Sequence, residues 1–541
     1  MRPDVEVTPA PPMVVDWDVP VRVRDGTVLR VNVFRPTDGK PVPVIMAAHP
    51  YGKDRIPART RTGRGINPQY RMFPQPATVR ISDMTNWEAP DPGWWVPNGY
   101  AFVNADLRGG GTSEGTAHLL SDAEADDYHD LIEWAGTQPW SDGAVGLCGV
   151  SYLAISQYKA AATRPPHLAA ICPWEGFSDL YRDFARPGGG REDGFTIVWS
   201  KGTRRAARVA GDLRAEIVRR PQMDAWYRER MPALEQIEVP VLECASFSDH
   251  SLHSRGSFEA FRRAGSQRKW LTTHRGGKWS TFYSQAAKEE QLRFFDHVLK
   301  GMDNGWDRRP QVTVAVHDAG PEPVEVFGAD SWPPSDLEWV TLHLDPATGR
   351  LHRDAPAPAS ASFRTGRRGT RLRFVWEFRS RVDVVGPMTA HLNVSLSGGD
   401  DAVIFAAVRK ARGGREVAFE GSYGFGRDVV TRGWQRVAHR SIDPVLSTPW
   451  QPVHTHDRAE PVIPGELAGV EVALLPQATR FEAGDQLVLD LQGHWLFPRG
   501  PLRGQLPVGY QRGPSVTCTL HGGQQRPSTL LLGLRHVPDG T

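Results

Sequence analysis

Apolar and polar positions alternate through residues 18–48 on either side of Asp25-Gly26, a dipeptide typical of tight hairpin turns, and this predicts paired strands. The run PVPVIMAAHP then reads as a buried strand entering His49-Pro50-Tyr51-Gly52, and YAFVNAD as another over 100–106. Between them, 53–97 has no clear period and carries Arg55, Arg59, Arg61, Arg64, Arg71 and Arg80. Unpatterned stretches of this length inside a domain are usually lids or binding loops. Solvated, surface-paired arginines are the plainer reading of most of these cations.

A helix is signalled next. Ser121-Asp122-Ala123-Glu124 forms a capping box, and Tyr128, Leu131, Ile132 and Ala135 repeat at helical spacing. Residues 143–162 (GAVGLCGVSYLAISQYKAAA) run from a short apolar strand through Gly149-Val150-Ser151-Tyr152 into a helix of small residues. Pro165-Pro166 ends that helix, and HLAAICP is the following buried strand. Strand–helix–strand alternation of this kind predicts a parallel sheet covered on both faces.

From 174 to 237 the spacing is helical without a strand, and Arg186-Pro187-Gly188-Gly189-Gly190 is expected to be a flexible stretch; the segment reads as an inserted helical unit. Sheet pattern resumes with VPVLECASFSD, helix SLHSRGSFEAFRRAG, strand RKWLTTH, and a helix with Leu292, Phe295 and Leu299 on one face. Beyond Trp332-Pro333-Pro334 the period becomes two, in Leu392/Val394/Leu396, Ile404/Ala406/Val408 and Leu487/Leu489/Leu491. The expected organisation is α/β: a parallel-sheet core over 1–173 and 238–331, an inserted helical cap at 174–237, and an all-β sandwich over 332–541.

Composition narrows the function classes. Hydrophobic content of 40% and charged content of 23% are globular values. Lys+Arg 64 against Asp+Glu 62 leaves a net charge of +2, which argues against nucleic acid or an anionic membrane as partner. Cys148, Cys172, Cys244 and Cys518 form no C-x-x-C pair and read as inert buried thiols. With neither a signal-peptide h-region nor an 18-residue apolar run, a cytoplasmic protein is expected. Self-association into a homo-oligomer is left open. The glycines at 109–115 complete neither G-x-G-x-x-G nor a phosphate loop, so no nucleotide cofactor is expected. His454-Thr455-His456-Asp457 holds two histidines in a polar loop, which are more often not ligands, so no metal is expected.

A serine at an abrupt strand-to-helix turn is strained, exposed at the sheet edge and close to the positive end of the helix, the usual presentation of a nucleophile. The alternative for Ser151 is a simple helix cap. In an α/β-hydrolase sheet the partners follow in the order Ser, Asp or Glu, His, each past the end of a later strand. Asp249 and His274 fit that order. His250 and His253 follow Asp249 too closely to be a separate strand end, and His297 lies inside a helix. The Tyr152 amide is an expected oxyanion donor, and the Tyr51 hydroxyl stands where a second would be, although it equally fits an aromatic packed at a strand end. Trp174, Phe177, Phe247 and Trp279 flank these residues and fit an apolar acyl pocket as well as a core.

The motifs DGTVLRVNVFRP, PYGKD, DLRGGGTSEG, EADDYHDLIEWAGTQPWSDGAVGLCGVSYLA, FFDHVLKGMDNG, WPPSDLEWVTLHLD and FEAGDQLVLDLQG, spread over nearly the whole chain, resemble the cocaine esterase, α-amino-acid ester hydrolase and X-prolyl dipeptidyl aminopeptidase family of serine hydrolases. The resemblance implies an α/β-hydrolase core, an inserted helical cap and a C-terminal jelly roll that helps wall the site. It also implies a Ser-Asp-His triad with a tyrosine hydroxyl in the oxyanion hole, which by motif map to Ser151, Asp249, His274 and Tyr51. The chain departs from the family at Ala154, where G-x-S-Y-x-G ends in glycine, and at Thr272–Trp279, where Gly-Pro-Trp-x-His is usual. The expected substrate is a small carboxylic ester or activated amide cleaved through an acyl-enzyme. An X-Pro-type aminopeptidase or amidase, an acyltransferase, and a non-catalytic polymer-binding protein are the alternatives.

Overall fold

The computed structural model describes residues 5–59, 67–73, 75–249, 252–366, 369–423, 428–497 and 509–537. Of the arginines of the long loop, Arg61 and Arg64 lie outside the described residues, as does His250.

Ten strands make the first sheet, in the spatial order Glu325–Ala329, Val312–Val316, Lys269–His274, Val241–Ser246, Leu168–Trp174, Ser141–Val150, Val42–His49, Ala101–Asp106, Val28–Arg35 and Val14–Arg22. Neighbours from Val312–Val316 to Ala101–Asp106 run parallel. The edges are antiparallel, and one of them is the hairpin that closes through Gly26 at φ +88°. Strands covered on both faces are mostly apolar: Ala101–Asp106 and Val241–Ser246 are buried at every position, including the polar Asn104, Asp106, Glu243 and Ser246.

The capping box at Ser121 starts the helix Asp122–Gly136, with the serine hydroxyl accepting the Glu124 amide at 3.3 Å. Tyr128, Leu131, Ile132 and Ala135 face the sheet and are buried. The helix Tyr152–Ala162 is buried along nearly its whole length, as its small residues allow.

Between Leu168–Trp174 and Val241–Ser246 the chain forms the helices Phe195–Ala206, Leu213–Arg219 and Ala225–Glu229 and no strand among the described residues. The glycines at 188–190 do not form a free linker. The Trp434 indole donates to the Pro187 carbonyl at 2.9 Å, and a Cβ on Gly188 would fall 2.0 Å from the Trp434 carbonyl oxygen. These glycines permit a close approach to the C-terminal sheet.

That second sheet joins twelve strands, ten along one path and two paired onto it, and folds as a largely antiparallel β-sandwich. The period-two residues Leu392, Val394, Leu396, Ile404, Ala406, Val408, Leu487, Leu489 and Leu491 all lie in its core. The four cysteines are free and buried. Among the described residues no helix is long and apolar enough to cross a membrane.

Candidate active site

The parallel strands fix the site because their carboxyl ends share one edge. Val150 is level with Trp174, Trp174 with Cys244, and Ser246 with His274. Loops leaving that edge therefore bring Tyr51, Ser151, Glu175, Asp249 and Lys278 towards one place.

Ser151 has φ +61° and ψ −117°, a left-hand-side conformation that a non-glycine residue holds only when its surroundings impose it. The neighbouring Gly149, at φ +151°, could carry no side chain, since its Cβ would meet Leu153 at 2.6 Å. Ala154 is accommodated because Gly176 lies opposite, where an added Cβ would come 3.0 Å from that of Ala154. Tyr152 begins the helix, whose first amides have no partner inside it.

The hydroxyl of Ser151 is hydrogen-bonded to Nε2 of His253 at 3.2 Å, and Nδ1 of His253 pairs with Oδ2 of Asp249. His253 and Asp249 are both buried. The expected histidine, His274, is elsewhere: its Nε2 is 3.1 Å from Oε1 of Glu175 and its ring lies 5.7 Å from that of Trp174. The reason is local. Asp249 and His253 occupy one turn at the entry to the helix Ser254–Arg263, the His253 amide bonds the Asp249 carbonyl at 3.1 Å, and side chains four apart on such a turn share a face. A separate strand end is not needed.

Lys278, the first residue of the helix Lys278–Phe282, enters from the far side. Its ammonium is 2.7 Å from Asp249 Oδ2, 2.9 Å from His253 Nδ1, 3.1 Å from the Tyr423 hydroxyl and 3.8 Å from Glu175 Oε2. Tyr423 and Ser422, which reaches Glu175 at 3.2 Å, come from the sandwich side of the chain. Glu175, Asp249 and His253 present ligand-type atoms within 4.8 Å of one another, a spacing that would suit a metal ion. The Lys278 ammonium lies among them. His454 and His456 lie with rings 5.7 Å apart, His456 Nδ1 is 3.4 Å from His439 Nδ1, and Asp457 turns away to accept the Thr455 hydroxyl.

Burial lowers the pKa of His253 and the Lys278 charge lowers it further, while Asp249 raises it. The Asp249 carboxyl is held well below the usual range; burial would raise it, and Lys278 and His253 outweigh that. Burial pushes Glu88, which accepts the Trp279 indole N–H at 3.1 Å, up to about 7.

A cavity with about 310 Å³ of non-protein space opens beside Ser151 and His253. Tyr51, Tyr152, Phe177, Phe184, Phe195 and Trp199 supply its aromatic lining. The Trp199 indole donates to the Tyr51 hydroxyl at 3.1 Å, so the phenolic proton is left to donate elsewhere, and burial raises the Tyr51 pKa. Trp199 also stacks on Tyr152 at 5.9 Å, and Tyr152 donates to the Glu124 carboxyl at 2.7 Å.

Of the four expected pocket aromatics only Phe177 lines this cavity. Phe247 packs in the core against Phe258 and Trp332, Trp279 against Tyr70 and Trp87, and Trp174 against Phe282. The cavity wall is instead completed by Phe184, Phe195 and Trp199, from the segment between the strands Leu168–Trp174 and Val241–Ser246.

Fold and site define a class: an α/β-hydrolase-type sheet with its polar cluster at the carboxyl edge, followed by a β-sandwich. The profile of the X-Pro dipeptidyl-peptidase (S15 family) matches residues 25–278, and that of the X-Pro dipeptidyl-peptidase C-terminal non-catalytic domain matches 304–531. A crystal structure of a CocE/NonD family hydrolase from Staphylococcus aureus superimposes with a TM-score of 0.90 at 33% identity, covering 97% of this chain and 94% of that one. The chain belongs to the CocE/NonD family of hydrolases. Cocaine esterase from Rhodococcus sp. is 34% identical over 186 residues, which are 34% of this chain and 27% of that protein. A putative Xaa-Pro dipeptidyl-peptidase from Streptomyces avermitilis is 26% identical over 60% of this chain and 50% of its own length.

Proposed function

We propose that this protein is a serine hydrolase that cleaves a small carboxylic ester, or an activated amide, through an acyl-enzyme. The observation that carries the reading is the 3.2 Å hydrogen bond between Ser151, on its strained turn, and His253. In this reading His253 Nε2 takes the proton as Ser151 Oγ attacks the carbonyl carbon. Asp249 accepts a hydrogen bond from Nδ1–H, holds the tautomer and offsets the charge of the imidazolium. The Tyr51 hydroxyl and the Tyr152 amide stabilise the tetrahedral oxyanion. The imidazolium then protonates the leaving oxygen of an ester, or the leaving nitrogen of an amide, and water, activated by the same histidine, releases the acid.

The cavity lining supports an apolar acyl group. Apart from Ser151 and His253 its described residues are aromatic or aliphatic, and none is a carboxylate that would pair with a substrate ammonium. That favours esters over the free-amine substrates that the Xaa-Pro relatives' names imply. A serine-directed fluorophosphonate tests the reading: labelling that disappears in Ser151→Ala supports it, and unlabelled wild type, or labelling unchanged in Ser151→Ala, would sink it.

A further inference from the structure

Burying an ammonium is costly unless its charge is paired and its protons are used. Lys278 is 1% exposed and meets both conditions, yet the chemistry above does not employ it. Its shortest contact is to Oδ2 of Asp249, at 2.7 Å. Oδ2 of Asp249 receives both the Lys278 ammonium and Nδ1 of His253, while Oδ1 has no hydrogen-bond partner among the described residues. The Tyr423 hydroxyl, at 3.4 Å, is a longer third contact to Oδ2. Lys278 is thus the strongest anchor of the carboxylate other than the histidine itself.

We propose that Lys278 is the positioning residue of this site: it clamps Asp249 so that Oδ2 accepts a hydrogen bond from Nδ1–H of His253, and its charge keeps the imidazole neutral, with the Nε2 lone pair facing Ser151. The proposal rests on the reading of Ser151, His253 and Asp249 as the catalytic set. The alternative tautomer, in which Nδ1 accepts from Lys278 and Nε2 carries the proton, cannot act as base towards Ser151. The carboxylate excludes it by offering Nδ1 an acceptor.

The charges facing this pair come from every side. Asp249 shares the turn with His253, Glu175 follows the strand Leu168–Trp174, and Glu88 acts on Lys278 from beside Trp279. His274 lies behind Glu175, and Tyr423 reaches in from the sandwich side of the chain. Carboxyl groups surround the imidazole, and one cation offsets them. With that cation removed, Asp249 and Glu175 favour the imidazolium, in agreement with the direction in which Lys278 and Asp249 shift His253.

The experiment is the pH profile of kcat/KM for p-nitrophenyl ester hydrolysis by the full chain, compared among wild type, Lys278→Gln and Lys278→Arg. We expect Lys278→Gln to lower kcat by about tenfold or more with KM little changed, and to move the acid limb to higher pH by about half a unit or more. Lys278→Arg, which keeps the charge, should hold the limb near its wild-type position. An acid limb unmoved in folded Lys278→Gln would overturn the proposal, because a merely structural loss lowers the profile without displacing it. If Lys278→Gln does not fold, the pH dependence of fluorophosphonate labelling of the wild type decides. An inflection below the ordinary imidazole value of about 6.5 supports the proposal, and one at or above it overturns it. Wild type that is not labelled at Ser151 would instead remove the catalytic reading beneath the proposal.

Discussion

Asp249 and His253 stand one helical turn apart, with the backbone amide of His253 bonded to the carbonyl of Asp249 at 3.1 Å and their side chains paired at Oδ2 and Nδ1. In the proposed reading, acid and base come from positions four apart in the chain, and their mutual geometry does not depend on how two distant strands are aligned. The strand that would otherwise supply the histidine supplies Lys278 just beyond its end.

The oxyanion role assigned to Tyr51 gives a first prediction. Tyr51→Phe keeps the ring that packs 5.9 Å from Tyr152 but removes the hydroxyl that Trp199 orients. We expect kcat to fall about 10²–10³-fold with KM little altered. Steady-state kinetics on a p-nitrophenyl ester measures this, and an undiminished kcat would exclude the hydroxyl from the reaction.

The packing beneath Ser151 gives a second. A methyl group on Gly176 would sit 2.9 Å from the Tyr158 ring and 3.0 Å from Ala154. Gly176→Ala should destabilise the fold by about 1–3 kcal/mol, measured by chemical denaturation, whereas Gly176→Ala combined with Ala154→Gly should recover part of the loss. Equal stability of the single variant and wild type would show that the helix yields freely.

Glu124 gives a third, with its sign fixed by linkage. Burial raises its folded pKa to about 7, above an unfolded value of about 4.3. The folded state therefore holds the proton that the unfolded state has released, so stability is present below the unfolded pKa and is lost as pH rises through 7. Glu124→Gln removes that titration and leaves a carbonyl for the Tyr152 hydroxyl. Its Tm relative to wild type should rise between about pH 5 and pH 8; a difference independent of pH would contradict the assignment.

Much of this architecture is legible in the residues. Buried parallel strands, the Ser121 cap and the period-two strands of the sandwich are local patterns, and Ser151 stands out because few turns place a serine between an apolar strand and a small-residue helix. The partner histidine is not legible in the same way. Strand order points to His274, but nothing local distinguishes a histidine facing Ser151 from one facing Glu175. The i, i+4 spacing of Asp249 and His253 was available as a signal, and so was the departure of Thr272–Trp279 from Gly-Pro-Trp-x-His. The cavity aromatics Phe184, Phe195 and Trp199 come from a helical segment whose path over the sheet no periodicity specifies.

The most direct measurement compares kcat/KM for His253→Ala and His274→Ala on the same p-nitrophenyl ester, with folding checked for both. The account predicts a loss of about 10⁴-fold or more for His253→Ala and a change within about tenfold for His274→Ala. Retained turnover in His253→Ala together with its loss in His274→Ala would contradict it.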